Sequence, residues 1–342
     1  MSEERTFRRR VQLVGGSALA ITLPKAWAKK YGIEPGTEIN LFLEVDGCLK
    51  ICPPGFETRK KTSVSIELDP STDPNTIVRL VIAHYLAGYH AIKLVYQPHM
   101  RKKVEEALEV LKAKVMGLEV LDEDSSSTTL YTVVDPEFVS FDSVLRRLAR
   151  ITLSMLYDLG NAFRSRDLDL LESIARRDDL VDKLYLLAMK QLHEKLSNPL
   201  ESLHPLEAIY LSMALKCIER VADHARTIAL LLQRCSSEVP TNVIDLYGQV
   251  VELFRESMDA LTNFDLVKAI EVAKAVDKAK EVENRVRESI QRIDVCTDHV
   301  LEGIRRILAY SIDVAELVID IVTARKYVEL TPSRNEERGS GS

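Results

Sequence analysis

The chain is predicted to be multidomain, with a small β-rich head, a small α/β middle segment and an all-α C-terminal half built as two similar bundles. Its 342 residues exceed what one hydrophobic core organises, and 46% apolar content is enough for several. Turn signals and short apolar runs crowd the first fifty residues. From about Phe141 to Tyr327, by contrast, apolar residues recur at spacings of three and four with few Gly or Pro interruptions. The formal charge of -6 hides an uneven distribution. Between Arg5 and Ile33 the charged residues are Arg5, Arg8, Arg9, Arg10, Lys25, Lys29 and Lys30, with no acid among them, whereas the C-terminal half is studded with Asp and Glu. An anionic partner at one end only follows from that asymmetry.

The head, residues 5–53, has the punctuation of a small β unit. Arg8 to Leu13 and Ala18 to Leu23 read as strands around Val14-Gly15-Gly16-Ser17. Pro24 fits the first position of a two-turn helix, Lys25 to Tyr31, which Gly32 stops in the left-handed conformation. Glu34-Pro35-Gly36-Thr37 is a turn with Pro second and Gly third, and Glu38 to Val45 and Cys48 to Pro53 flank the hairpin signal Asp46-Gly47. A unit of about 45 residues buries too little to stand alone, so it is expected to dimerise. The stretch Val11 to Leu23 behind Arg8-Arg9-Arg10 is not read as a signal peptide, because Gln12, Gly15-Gly16-Ser17 and Thr22 break it. No later stretch reaches the ~18 apolar residues of a membrane span.

Residues 62–135 alternate strand and helix. Val64 to Leu68, Pro74 to Ala87, Ala91 to Tyr96 and Met100 to Met116 are followed by Leu118 to Leu121 and Leu130 to Val134 around a polar Ser-Thr loop. Neither GxxxxGKS/T nor GxGxxG occurs there, which leaves a spacer or a dimer contact as the expected role. Cys48, Cys52, Cys217, Cys235 and Cys296 are odd in number, scattered and without a CxxC pair, as expected of thiols in a reduced cytoplasm.

Breaks at Asn198-Pro199, at His204-Pro205 and between Ser236 and Thr241 cut the helical half into bundles 141–235 and 241–330, with a flexible tail at 331–342. The bundles repeat one another. Asp167-Leu168 aligns with Asp265-Leu266, and Ala175 with Ala273. The acidic pair Asp178/Asp182 answers to Asp277/Glu281, 99 positions on, and Glu219/Asp223 answers to Glu316/Asp320, 97 positions on. Each pair sets two carboxylates on one helix face a single turn apart, where like charges cost a few tenths of a kcal/mol. A bound cation removes that cost, and an all-oxygen donor set suits magnesium, calcium, manganese or iron, with His224 beside Asp223 as a further donor. The competing reading is a solvated face balanced by Arg and Lys, common in a chain that is 29% charged. No catalytic triad, nucleotide loop or HExxH occurs, so catalysis is not expected.

At these residues the sequence resembles the PhoU family. Ile218-Glu219-Arg220-Val221-Ala222-Asp223-His224-Ala225 matches the family's most recognisable stretch, and Asp178 to Asp182 fits its other acidic motif. The resemblance covers about Phe141 to Tyr327. It implies tandem three-helix bundles whose E/DxxxD motifs bind divalent or iron-type metal ions, and a role in phosphate uptake and signalling. Carried onto this chain, the ligands would be Asp178, Asp182, Glu219, Asp223, Asp277, Glu281, Glu316 and Asp320. The second repeat departs from the pattern, with Glu281 where Asp is usual and Leu317, not Arg, after Glu316.

The head resembles the AbrB (SpoVT/AbrB) swapped-hairpin family through Val11-Gln12-Leu13-Val14-Gly15-Gly16-Ser17, Ile21-Thr22-Leu23-Pro24-Lys25, Trp27, Gly32-Ile33, Pro35-Gly36 and Asp46-Gly47. That resemblance implies that two chains interleave their hairpins and turn basic residues to DNA, here Arg5, Arg8, Arg9, Arg10 and Lys25. Lys29 and Lys30 are either further contacts or a solvated helix face. Trp27 is read as core and Gly15-Gly16 as turn geometry. The combination is similar to archaeal PhoU-like regulators and implies a cytoplasmic DNA-binding regulator of phosphate homeostasis, a homodimer or higher oligomer without membrane insertion. The alternative is an adaptor that docks on the ATPase subunit of a phosphate transporter, its head serving only to dimerise.

Overall fold

The computed structural model describes residues 7–43, 48–54, 62–133, 139–197, 203–235, 237–289 and 294–330. The chain divides into two compact units, residues 1–60 and 61–342.

In the first unit two short hairpins flank one helix. β1 (Gln12–Val14) pairs antiparallel with β2 (Ala18–Ala20), and Gly15 and Gly16 between them take φ of 63° and 86°, the region that a residue without Cβ enters freely. Each strand is shorter than the sequence predicts, because beyond Gln12↔Ala20 neither arm meets a partner within a single chain. Pro24 is the N-cap of α1 (Lys25–Lys30), one position before its expected place, and Gly32 ends the helix at φ 64° as predicted. The Glu34 carbonyl accepts from the Thr37 amide at 3.0 Å, closing the Pro35-Gly36 turn. β3 (Asn40–Leu43) pairs with β4 (Leu49–Cys52); Asp46-Gly47 lies outside the described residues. Leu13 faces Leu19, and Leu43 faces Leu49, each more than half exposed. Among the described residues of this unit, Cys52 alone is buried.

The second unit opens with β5 (Ser63–Glu67), α2 (Pro74–Leu86), β6 (Ala91–Val95), α3 (Arg101–Lys114), β7 (Leu118–Glu123) and β8 (Ser127–Thr132). The sheet order is β5-β6-β8-β7, with β5 parallel to β6 and the other neighbours antiparallel. Asp73 caps α2 by accepting from the Asn75 and Thr76 amides, and Pro74 occupies the first turn where its missing N–H costs nothing. The expected Ser-Thr loop is largely strand. Asp124 accepts the Ser126 and Ser127 amides in a tight turn, and the β-branched Thr128 and Thr129 continue into β8. Ile77, Val81, Tyr85, Ile92, Leu94 and Leu130 centre this core, and Leu186 of the helical part packs against it.

Six helices follow and share one hydrophobic core: α4 (Phe141–Ser165), α5 (Leu168–Ser197), α6 (Pro205–Leu232), α7 (Thr241–Asn263), α8 (Leu266–Ser289) and α9 (Val295–Leu330). Both helix triples follow one plan. Arg166 and Phe264 end α4 and α7 in the left-handed region, at φ 53° and 52°. Asp167 and Asp265 then accept backbone amides at the heads of α5 and α8. α6 and α9 run antiparallel, since Glu207 pairs with Arg325, His224 stacks on Tyr310, and Ile228 meets Gly303. A Cβ at Gly303 would lie 2.7 Å from Ile228 Cδ1 and 2.9 Å from Cγ1. Gly303→Ala is therefore expected to cost about 1–3 kcal/mol by overpacking. Thermal unfolding of Gly303→Ala, Ile228→Ala and the double variant checks this. Relief of the strain in the double variant is predicted, and strict additivity would contradict it.

One expectation is corrected by this packing. Cys235, just past α6, is disulfide-bonded to Cys296 in the first turn of α9, with Cα atoms 6.2 Å apart. The two are 61 positions apart in sequence, and the antiparallel seating of α9 on α6 brings them together. Cys52 and Cys217 remain thiols. Among the described residues no helix is long and apolar enough to cross a membrane.

Candidate cation site and nucleic-acid face

Asp178 and Asp182 stand one turn apart on α5, as do Glu219 and Asp223 on α6. The apolar residues beside them, Ile174, Val181 and Leu184 on α5 and Leu215, Ile218 and Ala222 on α6, are buried in the shared core. This seats the acids at the margin of the α5–α6 contact, with Asp178 6% and Glu219 8% exposed. Burial, and then the charges of Asp182 and Asp223, push the Asp178 carboxyl up to about 7. Burial also raises Asp182, against the opposing charge of Lys114 at the end of α3. It raises Glu219 as well, against a hydrogen bond from Lys216.

Protein cations stand against three of these acids. Arg226 Nε is 3.6 Å from Asp178 Oδ2, Lys216 Nζ 2.7 Å from Glu219 Oε2, and Arg220 Nη1 3.1 Å from Asp223 Oδ2. Asp178 Oδ1 is buried and has no hydrogen-bond partner, a state that costs free energy until something fills it. Among the described residues no three His, Cys, Asp or Glu side chains are grouped so as to share an ion, because these acids lean on cations and not on one another. The donor chemistry alone, four carboxylates on adjacent helices with two of them buried, is of the kind a hard ion takes. Lys114, Lys216 and Arg226 were missed by sequence reasoning, since α3 and α6 both supply charges around the acids and their packing on α5 is not local in sequence.

The second repeat is different. Glu281 is exposed and leans on Arg285, 3.9 Å away, while Glu316 and Asp320 are exposed on α9; the Asp277 side chain lies outside the described residues. Other acids of this repeat are neutralised by guanidinium groups. Glu283, 6% exposed, meets Arg287 at 3.4 Å, and hydrogen bonds from Arg305 and Arg306 hold Glu302 down to about 2.

In the first unit Arg8, Arg9, Arg10 and Lys25 are all exposed, and Arg5 lies outside the described residues. Arg9 donates to the Arg8 carbonyl at 3.1 Å and lies over the Phe7 ring. Arg8, Arg10 and Lys25 have no acidic partner among the described residues. The run enters β1, and Lys25 opens α1, so backbone geometry fixes where both begin. Lys29 and Lys30 are exposed, and Trp27 is half-buried 5.6 Å from Tyr31.

Residues 145–232 match the PhoU domain, and residues 12–59 match the domain described as antidote-toxin recognition MazE, bacterial antitoxin. A phosphate-specific transport system accessory protein PhoU homolog of Clostridium acetobutylicum is 23% identical over 164 residues, which is 45% of this chain and 73% of that protein. The crystal structure of the phosphate transport system regulatory protein PhoU from Streptococcus pneumoniae aligns with a TM-score of 0.48 at 14% identity, covering 55% of this chain and 96% of that one. The two domain matches fall on α4 to α6 and on both hairpins of the first unit. This chain carries a PhoU-family domain in its helical half and a MazE/AbrB-like domain at its head.

Proposed function

We propose that the chain is a DNA-binding transcriptional regulator of phosphate uptake, acting in the cytoplasm. Its head dimerises and grips DNA through Arg5, Arg8, Arg9, Arg10 and Lys25, and its first helical repeat holds a metal ion through Asp178, Asp182, Glu219 and Asp223. The observation that carries this reading is one chain joining a head whose residues 5–33 carry basic but no acidic side chains, with uncovered apolar strands, to a PhoU domain. Interleaving two heads buries Leu13, Leu19, Leu43 and Leu49 and doubles the guanidinium groups available to phosphates, whose displaced counterions drive binding. In the helical half, Asp178 Oδ1 is a buried carboxylate oxygen without a hydrogen-bond partner. A bound ion supplies the positive charge that Arg226 and Lys216 now share among the acids. The link to phosphate rests on the names of the relatives.

A second reading, an adaptor that docks on a phosphate transporter's ATPase subunit, is favoured by an uncovered stripe on α6. Leu206, Ile209 and Met213, at helical spacing, are 44%, 51% and 51% exposed. Selection of fragments of the parent genome on the purified chain separates the two. Fragments upstream of phosphate-transport genes are expected; no enriched fragment, with the ATPase subunit retained instead, would establish the adaptor.

A further inference from the structure

A disulfide joins the end of the first helical triple to the start of the last helix, and a guanidinium holds the backbone beside it. Cys235 is 9% exposed and Cys296 is half-buried, and their bond closes α7 and α8 into a loop. Arg166, in the left-handed turn between α4 and α5, donates from Nη1 to the Cys235 carbonyl at 2.7 Å; its Nη2 is buried without a hydrogen-bond partner. On the other side Asp294 accepts from the Cys296 and Thr297 amides and from the Ser237 hydroxyl. The first turn of α9 thus rests on one covalent bond, one capping carboxylate and the ion pair of Asp298 with Arg287 of α8 at 3.3 Å. From Val300 onward α9 is held by the core, through Leu301, Ile304 and Ile307.

We propose that Cys235 and Cys296 form a reversible thiol–disulfide exchange site. Its reaction partner is a small-molecule or protein disulfide, and its reduction frees the first turn of α9 from the end of α6. In the oxidising direction the thiolate of Cys296, the more exposed residue, attacks one sulfur of a partner R–S–S–R and expels a first R–S⁻. The Cys235 thiolate then attacks Cys296 Sγ in the mixed disulfide and expels the second. Two electrons pass to the partner's broken S–S bond, and the two protons lost by the cysteines end on two R–SH. Reduction by a dithiol runs the same steps in reverse. Cys235 then leaves as thiolate, its backbone carbonyl still held by the Arg166 guanidinium.

The test equilibrates the full chain in graded mixtures of reduced and oxidised dithiothreitol, alkylates free thiols and reads each cysteine by mass spectrometry. Cys235 and Cys296 are expected to convert together in one two-electron transition, while Cys52 and Cys217 do not follow it. Amide exchange over residues 295–299 is expected to quicken at least about tenfold on reduction, with 304–321 unchanged. The double variant Cys235→Ser, Cys296→Ser should reproduce the reduced pattern. Alkylation of both cysteines at every ratio, survival of the bond in excess dithiol, or unchanged exchange at 295–299 would overturn the proposal.

Discussion

Leu43→Asp is expected to dissolve the dimer of heads and abolish tight DNA binding. Leu43 is 76% exposed in the single chain, opposite Leu49, and Leu41 with Ile51 forms the next pair on the same face of the hairpin. Full burial of one leucine contributes about 1.5–3 kcal/mol, and a two-fold interface counts it twice, so removal alone weakens dimerisation on the order of a hundredfold or more. A carboxylate in its place adds a desolvation cost. A monomeric head offers half the phosphate contacts, so its affinity for DNA falls and its salt dependence flattens. Sedimentation across protein concentrations, run beside a DNA titration, checks both. Leu121→Asp, at an exposed leucine of β7, should leave both unchanged. A Leu43→Asp chain that still dimerises and binds would show that the strand faces serve another purpose.

Asp178→Asn is expected to remove both a pH-dependent weakness and the response to divalent ions. In the ion-free chain burial lifts this carboxyl from 3.8 to about 7, so the folded state binds its proton more tightly than the unfolded state does. The stability this contributes is complete below the unfolded value and is lost as pH rises through about 7. On the order of 2–4 kcal/mol separates the limits. Ion-free wild type should therefore melt lower near pH 8 than near pH 5, with a flatter profile for Asp178→Asn. Added Mn²⁺ should stabilise wild type near pH 8, by about 2.7 kcal/mol at a hundred times its Kd, and much less near pH 5. Glu219→Gln should lose the Mn²⁺ effect as well, and elemental analysis should show less bound metal in both variants. An Mn²⁺ response of equal size in wild type and both variants would remove the cation from the account.

Local features of the fold are legible in the sequence because their causes are local. A helix begins at Pro74, Gly32 stops one and Pro35-Gly36 turns the chain where expected, each through groups a few positions apart. The repeat is legible for the same reason. Its aligned Asp167 and Asp265 prove to be equivalent helix caps, each preceded by a left-handed residue. Features that need a distant partner are not legible. Strand lengths in the head depend on which backbone groups find a partner, and the Cys235–Cys296 bond depends on how α9 lies on α6. Spacing places two acids on one helix face without saying which way the face points. Asp178 and Glu219 turn inward at the α5–α6 margin, whereas Glu281, Glu316 and Asp320 keep the same spacing and face solvent.

Salt titration of DNA binding by the full chain reads the head's role most directly. The logarithm of affinity should fall linearly with the logarithm of salt concentration, and Arg8→Ala or Arg10→Ala should each reduce the slope by about two, one contact per protomer. Absence of binding at low salt, or a slope that neither substitution changes, would contradict a DNA-binding head.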